Sequence, residues 1–249
     1  MAYIDKYGVE FTDDRKTLIK CPEDFPGEYI IPEEVNLIGN RAFKNCSKLT
    51  NINISNSVTK IEDYAFWGCS SLRNLFIPTG VKSIGRCAFV RCINISSIVV
   101  AKENPVFDSR NNCNAIINAK TDKLVLGCKN TIIPDSIISI GESAFSECIG
   151  LKNIKIPNGV RVIRGCAFSM CINLESVCIS PTVVYIGFSA FANCSSLLSI
   201  EIPNSITSIQ EHAFNGCDNL QQIVIPLGEK QRFLQFESLK YYVNVIVEH

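Results

Sequence analysis

The sequence predicts an α/β-type repeat solenoid, a curved rod of short stacked strands. Three observations predict it. The dipeptide Ala-Phe recurs every 23 residues at Ala42-Phe43, Ala65-Phe66 and Ala88-Phe89, then at Ala144-Phe145, Ala167-Phe168, Ala190-Phe191 and Ala213-Phe214. A Cys stands three residues after each Phe, from Cys46 to Cys217. A branched anchor, usually followed by Pro, falls at Ile31, Ile54, Ile77, Val100, Ile133, Ile156, Ile179, Ile202 and Ile225, and every step is 23 except the 33 between Val100 and Ile133. A fixed period of this length marks units that stack on one another.

The first 28 residues are expected to form a hairpin that caps the first rung. Val9-Glu10-Phe11 and Leu18-Ile19 flank the polar tip Asp13-Asp14-Arg15-Lys16. Residues 29–226 then hold about nine rungs, read as one domain over 1–249. Around Leu49, Ile52 and Ile54 apolar and polar residues alternate, as on a half-buried strand. Pro78, Pro157 and Pro203 follow the anchors and end the strands, because Pro cannot donate to a ladder. Gly39, Gly85, Gly141 and Gly187 are expected to permit a sharp bend into the Ala-Phe segment. That segment has room for a short turn or a single turn of helix. One unit, Leu-x-x-Ile-x-Ile-x-x-Ser-Val-x-x-Ile-x-x-x-Ala-Phe-x-x-Cys from Leu49, has the strand-plus-turn pattern of a leucine-rich repeat. Parallel strands line one side, the concave sheet, and the turns line the convex side.

The period breaks at residues 101–132. Ala115-Ile116-Ile117 and Leu124-Val125-Leu126 flank the polar tip Lys120-Thr121-Asp122-Lys123, which reads as an inserted β-hairpin. It is either a spacer or a projection that touches a ligand. From 227 to 249 the repeat is abandoned. Phe233, Phe236, Leu239 and Tyr242 recur at three-residue steps, and a helical cap over the end of the core is expected.

The unit Ile-Pro-x-x-Val-x-x-Ile-Gly-x-x-Ala-Phe-x-x-Cys-x-x-Leu-x-x-Ile resembles the BspA-like leucine-rich repeats. Residues 133–154 and 156–177 match it nearly throughout. The resemblance implies a protein of the cell surface, with a role in adhesion among its relatives.

Composition narrows the function. Lys+Arg and Asp+Glu number 24 each, so the chain lacks the basic footprint of a nucleic-acid binder. No apolar run reaches the ~18 residues that cross a bilayer. The stretch Met1 to Tyr7 lacks the pattern of a signal peptide, which points to the cytoplasm if the chain is full length. No catalytic residue, cofactor or metal is expected. The two His, His212 and His249, lie apart, no phosphate loop or His-Glu-x-x-His occurs, and the 23-residue Cys spacing does not suit metal ligation. Of the thirteen Cys, the seven that follow the Ala-Phe dipeptides are read as core filling, since stacked side chains point the same way and do not converge on disulfides.

A partner-binding surface is expected on the concave strands, and the partner would be a protein or peptide. Alternation turns two rows outward. One row carries Phe76, Val99 and Ile132 in its middle, with Lys155 and Glu201 beyond them. The other is rich in amides and hydroxyls, Asn74 and Asn130 among them. The apolar trio is either an interaction site or simply the β-propensity of Phe, Val and Ile on an exposed strand. Self-association is the alternative function. Trp67, in a convex turn, is a second and isolated aromatic hint.

Overall fold

A computed structural model describes residues 2–249, in two compact units that divide between Lys120 and Thr121. Both units are built from the same rung. A regular rung contributes one long strand and one strand of two residues, and these enter separate parallel ladders. The long strands were legible. The two-residue ladder was not, because a pair of residues cannot display alternation.

In the first unit the long strands Gly27–Ile30 and Leu49–Asn53 pair in parallel, as do Asn74–Ile77 and Ser97–Val100. On the latter pair Leu75, Ile77, Ile98 and Val100 point into the core, whereas Phe76 and Val99 point out. The short ladder runs Leu37–Ile38, Lys60–Ile61 and Ser83–Ile84. It is continued by Thr17–Lys20, which itself pairs antiparallel with Glu10–Phe11, and Glu10–Phe11 with Tyr3–Ile4. Asp5 ties this start together: its carboxylate accepts the backbone N–H groups of Tyr7 and Val9 at 2.9 Å each and the Tyr29 hydroxyl at 2.7 Å. At the other end of the unit Phe107–Asp108 pairs antiparallel with Ala115–Asn118.

In the second unit the short ladder runs Lys123–Gly127, Ser139–Ile140, Val162–Ile163, Tyr185–Ile186 and Ser208–Ile209. The long ladder runs Asn153–Ile156, Ser176–Ile179, Ser199–Glu201 and Gln222–Ile225. A fifth strand, Ile246–Glu248, joins its edge with Ile246 beside Ile223. The expected terminal helix is therefore corrected: residues 227–249 form two single helical turns, Lys230–Phe233 and Glu237–Lys240, followed by that strand. Apolar spacing of three residues suits separate tight turns better than a continuous helix of period 3.6. Phe233 and Leu239 are fully buried, and the Tyr242 hydroxyl donates to Phe214 O at 2.6 Å.

The Ala-Phe segment is a tight turn with a left-handed residue at each end. The residue before Ala has positive φ in every rung that carries the dipeptide (Arg41, Tyr64, Cys87, Ser143, Cys166, Ser189, His212), and so does the residue before Cys (Asn45, Gly68, Arg91, Glu147, Met170, Asn193, Gly216). Most are not Gly, and each such residue costs about 1–2 kcal/mol. Hydrogen bonds to the next rung offset this. Phe43 N donates to Ala65 O at 2.7 Å, and Phe168 N donates to Ala190 O at 2.7 Å. The rings stack in register, with Phe43–Phe66 centroids 4.9 Å apart and Phe168–Phe191 centroids 5.2 Å apart.

The recurring Gly of the repeat has a different task from the one expected. Gly39, Gly85, Gly141 and Gly187 do not have positive φ. They are small because a neighbouring rung passes close by. A Cβ at Gly85 would lie 2.4 Å from Asp63 N, and one at Gly187 would lie 2.6 Å from Gly165 N.

The thirteen Cys are all free thiols. The column fills the core as expected and also forms hydrogen bonds. The thiols of Cys69 and Cys92 donate to Phe43 O and Phe66 O at 3.1 Å, and those of Cys171, Cys194 and Cys217 donate to Phe145 O, Phe168 O and Phe191 O at 3.0–3.2 Å. A small apolar side chain with one weak donor suits a turn whose carbonyls face inward.

Candidate functional site

The outward row of the first unit is built by strand alternation. Asn74 and Phe76 face out from one strand, and Ser97 and Val99 lie beside them in register. Phe76 is 49% exposed and Val99 46%, while their in-pointing neighbours Leu75 and Ile98 are buried. Two large apolar side chains thus stand side by side on an open sheet face. Trp67 is less isolated than expected. Its ring lies between Lys44 and Arg91, whose charged groups are 5.3 and 4.8 Å from the centroid, so two cations already occupy it.

Beside Val99 lies a groove of about 400 Å³, entirely within the first unit. Strand Ser97–Val100 forms one wall, and the segment from Asp108 to Asn114 forms the other. Within the unit this strand edge meets side chains: Ile98 N donates to Asn114 Oδ1 at 3.4 Å and Val100 N to Ser109 Oγ at 3.0 Å. Burial alone would raise the Asp108 carboxyl, but hydrogen bonds from Arg110, whose guanidinium lies 2.6 Å away, outweigh it and hold the group below its ordinary value. Asn111, Asn112 and Asn114 have left-handed backbones, a conformation Asn tolerates. The groove was missed in the sequence, although the Asn-rich run 111–114 was its available signal.

In the second unit Asn153, Lys155, Ser176, Cys178, Ser199 and Glu201 face out from the long ladder, and Lys155 registers with Cys178 and Glu201 with Val224. Lys155 and Glu201 are two strands apart, roughly 9–10 Å by strand spacing. Part of the polar row is self-satisfied: Ser176 Oγ donates to Asn153 Oδ1 at 2.6 Å. Asn130 and Ile132 are exposed, Ile132 at 77%, but they do not sit on a strand as alternation implied. The segment 128–134 is irregular, and its Thr131 hydroxyl accepts Cys128 N at 2.8 Å. The structure thus brings Phe76 and Val99 together on one ladder. It sets Lys155 and Glu201 on another, and Asn130 and Ile132 on a loop.

Among the described residues, no group of three or more His, Cys, Asp or Glu could hold a metal ion, and no helix is long and apolar enough to cross a membrane.

Residues 27–119 and 115–236 match the model of the BspA type leucine rich repeat region, in six copies. Among solved structures, a leucine rich cell surface protein from Faecalibacterium prausnitzii is similar at 32% identity with a TM-score of 0.70, covering 82% of this chain and 54% of that one. The pneumococcal vaccine antigen PcpA shares the fold at 21% identity with a TM-score of 0.71, covering 81% of this chain and 51% of its own. The chain therefore spans about half the length of these two proteins. No curated protein matches it.

Proposed function

The chain belongs to the BspA-type leucine-rich-repeat family, and on that premise we propose that it is a non-catalytic module that binds a protein or peptide on the open face of its long strands. The observation that carries this reading is the registered pair Phe76–Val99, half-exposed above a buried core. Binding energy concentrates in a few apolar or aromatic anchors, while nearby charges orient the partner. In the first unit Asn74 edges the anchor. In the second, Ile132 with Asn130 offers an exposed apolar contact, and Lys155 and Glu201 offer charges of both signs. The antiparallel start of the first unit and the helical end of the second are read as caps, and the inserted segment as a hairpin that shapes the groove beside Val99.

One similar structure is that of a cell surface protein, and we carry a surface location and an adhesive role to this chain as part of the proposal. The test is capture of a partner with the purified chain, followed by titration of Phe76→Ser. A loss of about 1–2 kcal/mol is expected, with Lys82→Ser as an exposed control unchanged. Unchanged affinity for Phe76→Ser would remove the anchor from the reading. A mass that rises with concentration, and falls on Phe76→Ser, would instead favour self-association through the same face.

A further inference from the structure

A cleft of about 170 Å³ lies in the second unit, between the turn Glu211–Asn215 and the segment Glu237–Tyr242. It is smaller than the cavities that hold drug-sized ligands, so it is suited to a single chemical group or one side chain. Two of its hydroxyls, those of Ser238 and Tyr242, already have partners. Ser238 donates to Gln210 O and accepts Ala213 N at 3.1 Å, and Tyr242 donates to Phe214 O at 2.6 Å. The Tyr242 ring is thereby fixed as a wall.

The other residues that line it are Glu211, His212, Asn215, Glu237 and Tyr241, with no lysine or arginine among them. The Phe188 ring meets His212 edge-on, with centroids 5.4 Å apart at 87°, and helps to set the imidazole plane. The same repeat position holds Ser143, Cys166 and Ser189 in the preceding rungs of the unit, so the aromatic His is special to this one. At the rim Lys240 Nζ rests 2.6 Å from Glu237 Oε2, so an ammonium of the chain itself already uses one of these carboxylates.

We propose that this cleft binds an alkylammonium group, from a lysine of a protein partner or from a free quaternary amine. Ring faces of His212, Tyr241 and Tyr242 would contact the cation and its carbon shell, with Glu211 and Glu237 as counter-charges. Aromatic faces and carboxylates both favour a cation, and a cation with attached carbons uses ring contact better than a fully hydrated one. The inference does not depend on the open strand face.

The full chain, with His ring carbons labelled, is titrated separately with tetramethylammonium chloride, Nα-acetyl-lysine methylamide and the uncharged isostere 3,3-dimethylbutan-1-ol. The chain has two His, so His249 serves as internal control for His212. Saturable shifts at His212 are expected with at least one cation, and at least tenfold weaker binding of the alcohol. The stronger cation identifies the source, quaternary amine or lysine. Tyr241 is 83% exposed and Glu211 is exposed, so the double variant Tyr241→Ala/Glu211→Gln should stay folded and bind at least tenfold more weakly. Lys240→Ala, which frees Glu237 from an exposed ion pair, should tighten binding about twofold. Equal binding of the alcohol, a double variant that binds as well as the parent, or the absence of a saturable His212 shift with either cation overturns the proposal.

Discussion

The thiol of Cys171 donates to the carbonyl oxygen of Phe145, one rung back and 3.0 Å away. The same bond recurs between Cys194 and Phe168 and between Cys217 and Phe191. These three Cys are thus committed to the backbone of the neighbouring rung, and their chemistry follows from that. Burial, and then the charge of Cys148, push the Cys171 thiol well above its ordinary range.

The first prediction is a reactivity order. Cys178 is the exposed thiol, Cys87, Cys148 and Cys166 are half-buried, and the other nine are buried. Native protein should take up one equivalent of a thiol reagent rapidly, up to three more slowly, and the rest only on unfolding. Timed labelling followed by peptide mass spectrometry reads this directly. Rapid modification of Cys171 or Cys194, or a Cys148–Cys171 disulfide in the native protein, would refute the column.

Alkaline pH should destabilise the fold. Burial, and then the charge of Cys128, raise the Cys148 thiol to about 12 from an ordinary 9.0. Between these values the unfolded chain releases a proton that the native chain keeps, so stability falls with rising pH, by ~1.4 kcal/mol per pH unit for such a group. Tyr242 adds to the loss above pH 10, since burial raises its phenol from 10.0 to about 12. Urea midpoints should drop between pH 8 and pH 10, and less steeply in Cys148→Ala. A flat profile over that interval would contradict the argument.

The repeat glycines separate two explanations. Gly187→Ala would drive a Cβ to within 2.6 Å of Gly165 N, and overpacking against backbone costs about 1–3 kcal/mol. Gly165→Ala meets nothing nearer than Phe188 O at 3.4 Å and should be close to neutral. Denaturation curves of the two variants decide the matter, and equal losses would mean that close approach is not the reason for the Gly.

Facing can be checked in the same way. Phe168 is fully buried and stacked between Phe145 and Phe191. Phe168→Ala should cost about 3–5 kcal/mol, the usual range for a buried aromatic. Phe76→Ala, on the open face, should cost far less. Greater damage from Phe76→Ala would invert the strand assignment.

Core and facing were legible because they are periodic: Phe, Cys and the anchor Ile recur at 23 residues, and alternation then puts Phe76 and Val99 outward. What the sequence hid lacks a side-chain signature. Left-handed backbone falls on residues as unlike as Arg41, Tyr64 and Cys166, since the demand comes from hydrogen bonds to the next rung. Close approach at Gly85 looks, in sequence, the same as a bend. Ile132 fits the outward row by spacing, yet the preceding insertion leaves its segment without a strand. The groove beside Val99 and the cleft at His212 use residues that depart from the repeat, so the periodicity that revealed the fold averaged them away.

The bonds between neighbouring rungs bear on how such a gene changes length. Within either unit a rung offers its neighbour the same donors and acceptors at the same positions. Duplication or loss of one repeat's coding stretch therefore leaves the remaining backbone matched, and selection can tune length by recombination between similar stretches. An insertion of any other size has no such match. At residues 101–120 the misfit is absorbed by Ser109 and Asn114, whose side chains take the N–H groups of Val100 and Ile98. Out-of-period insertions are thus the places where new loops, and new chemistry, enter an otherwise copied sequence.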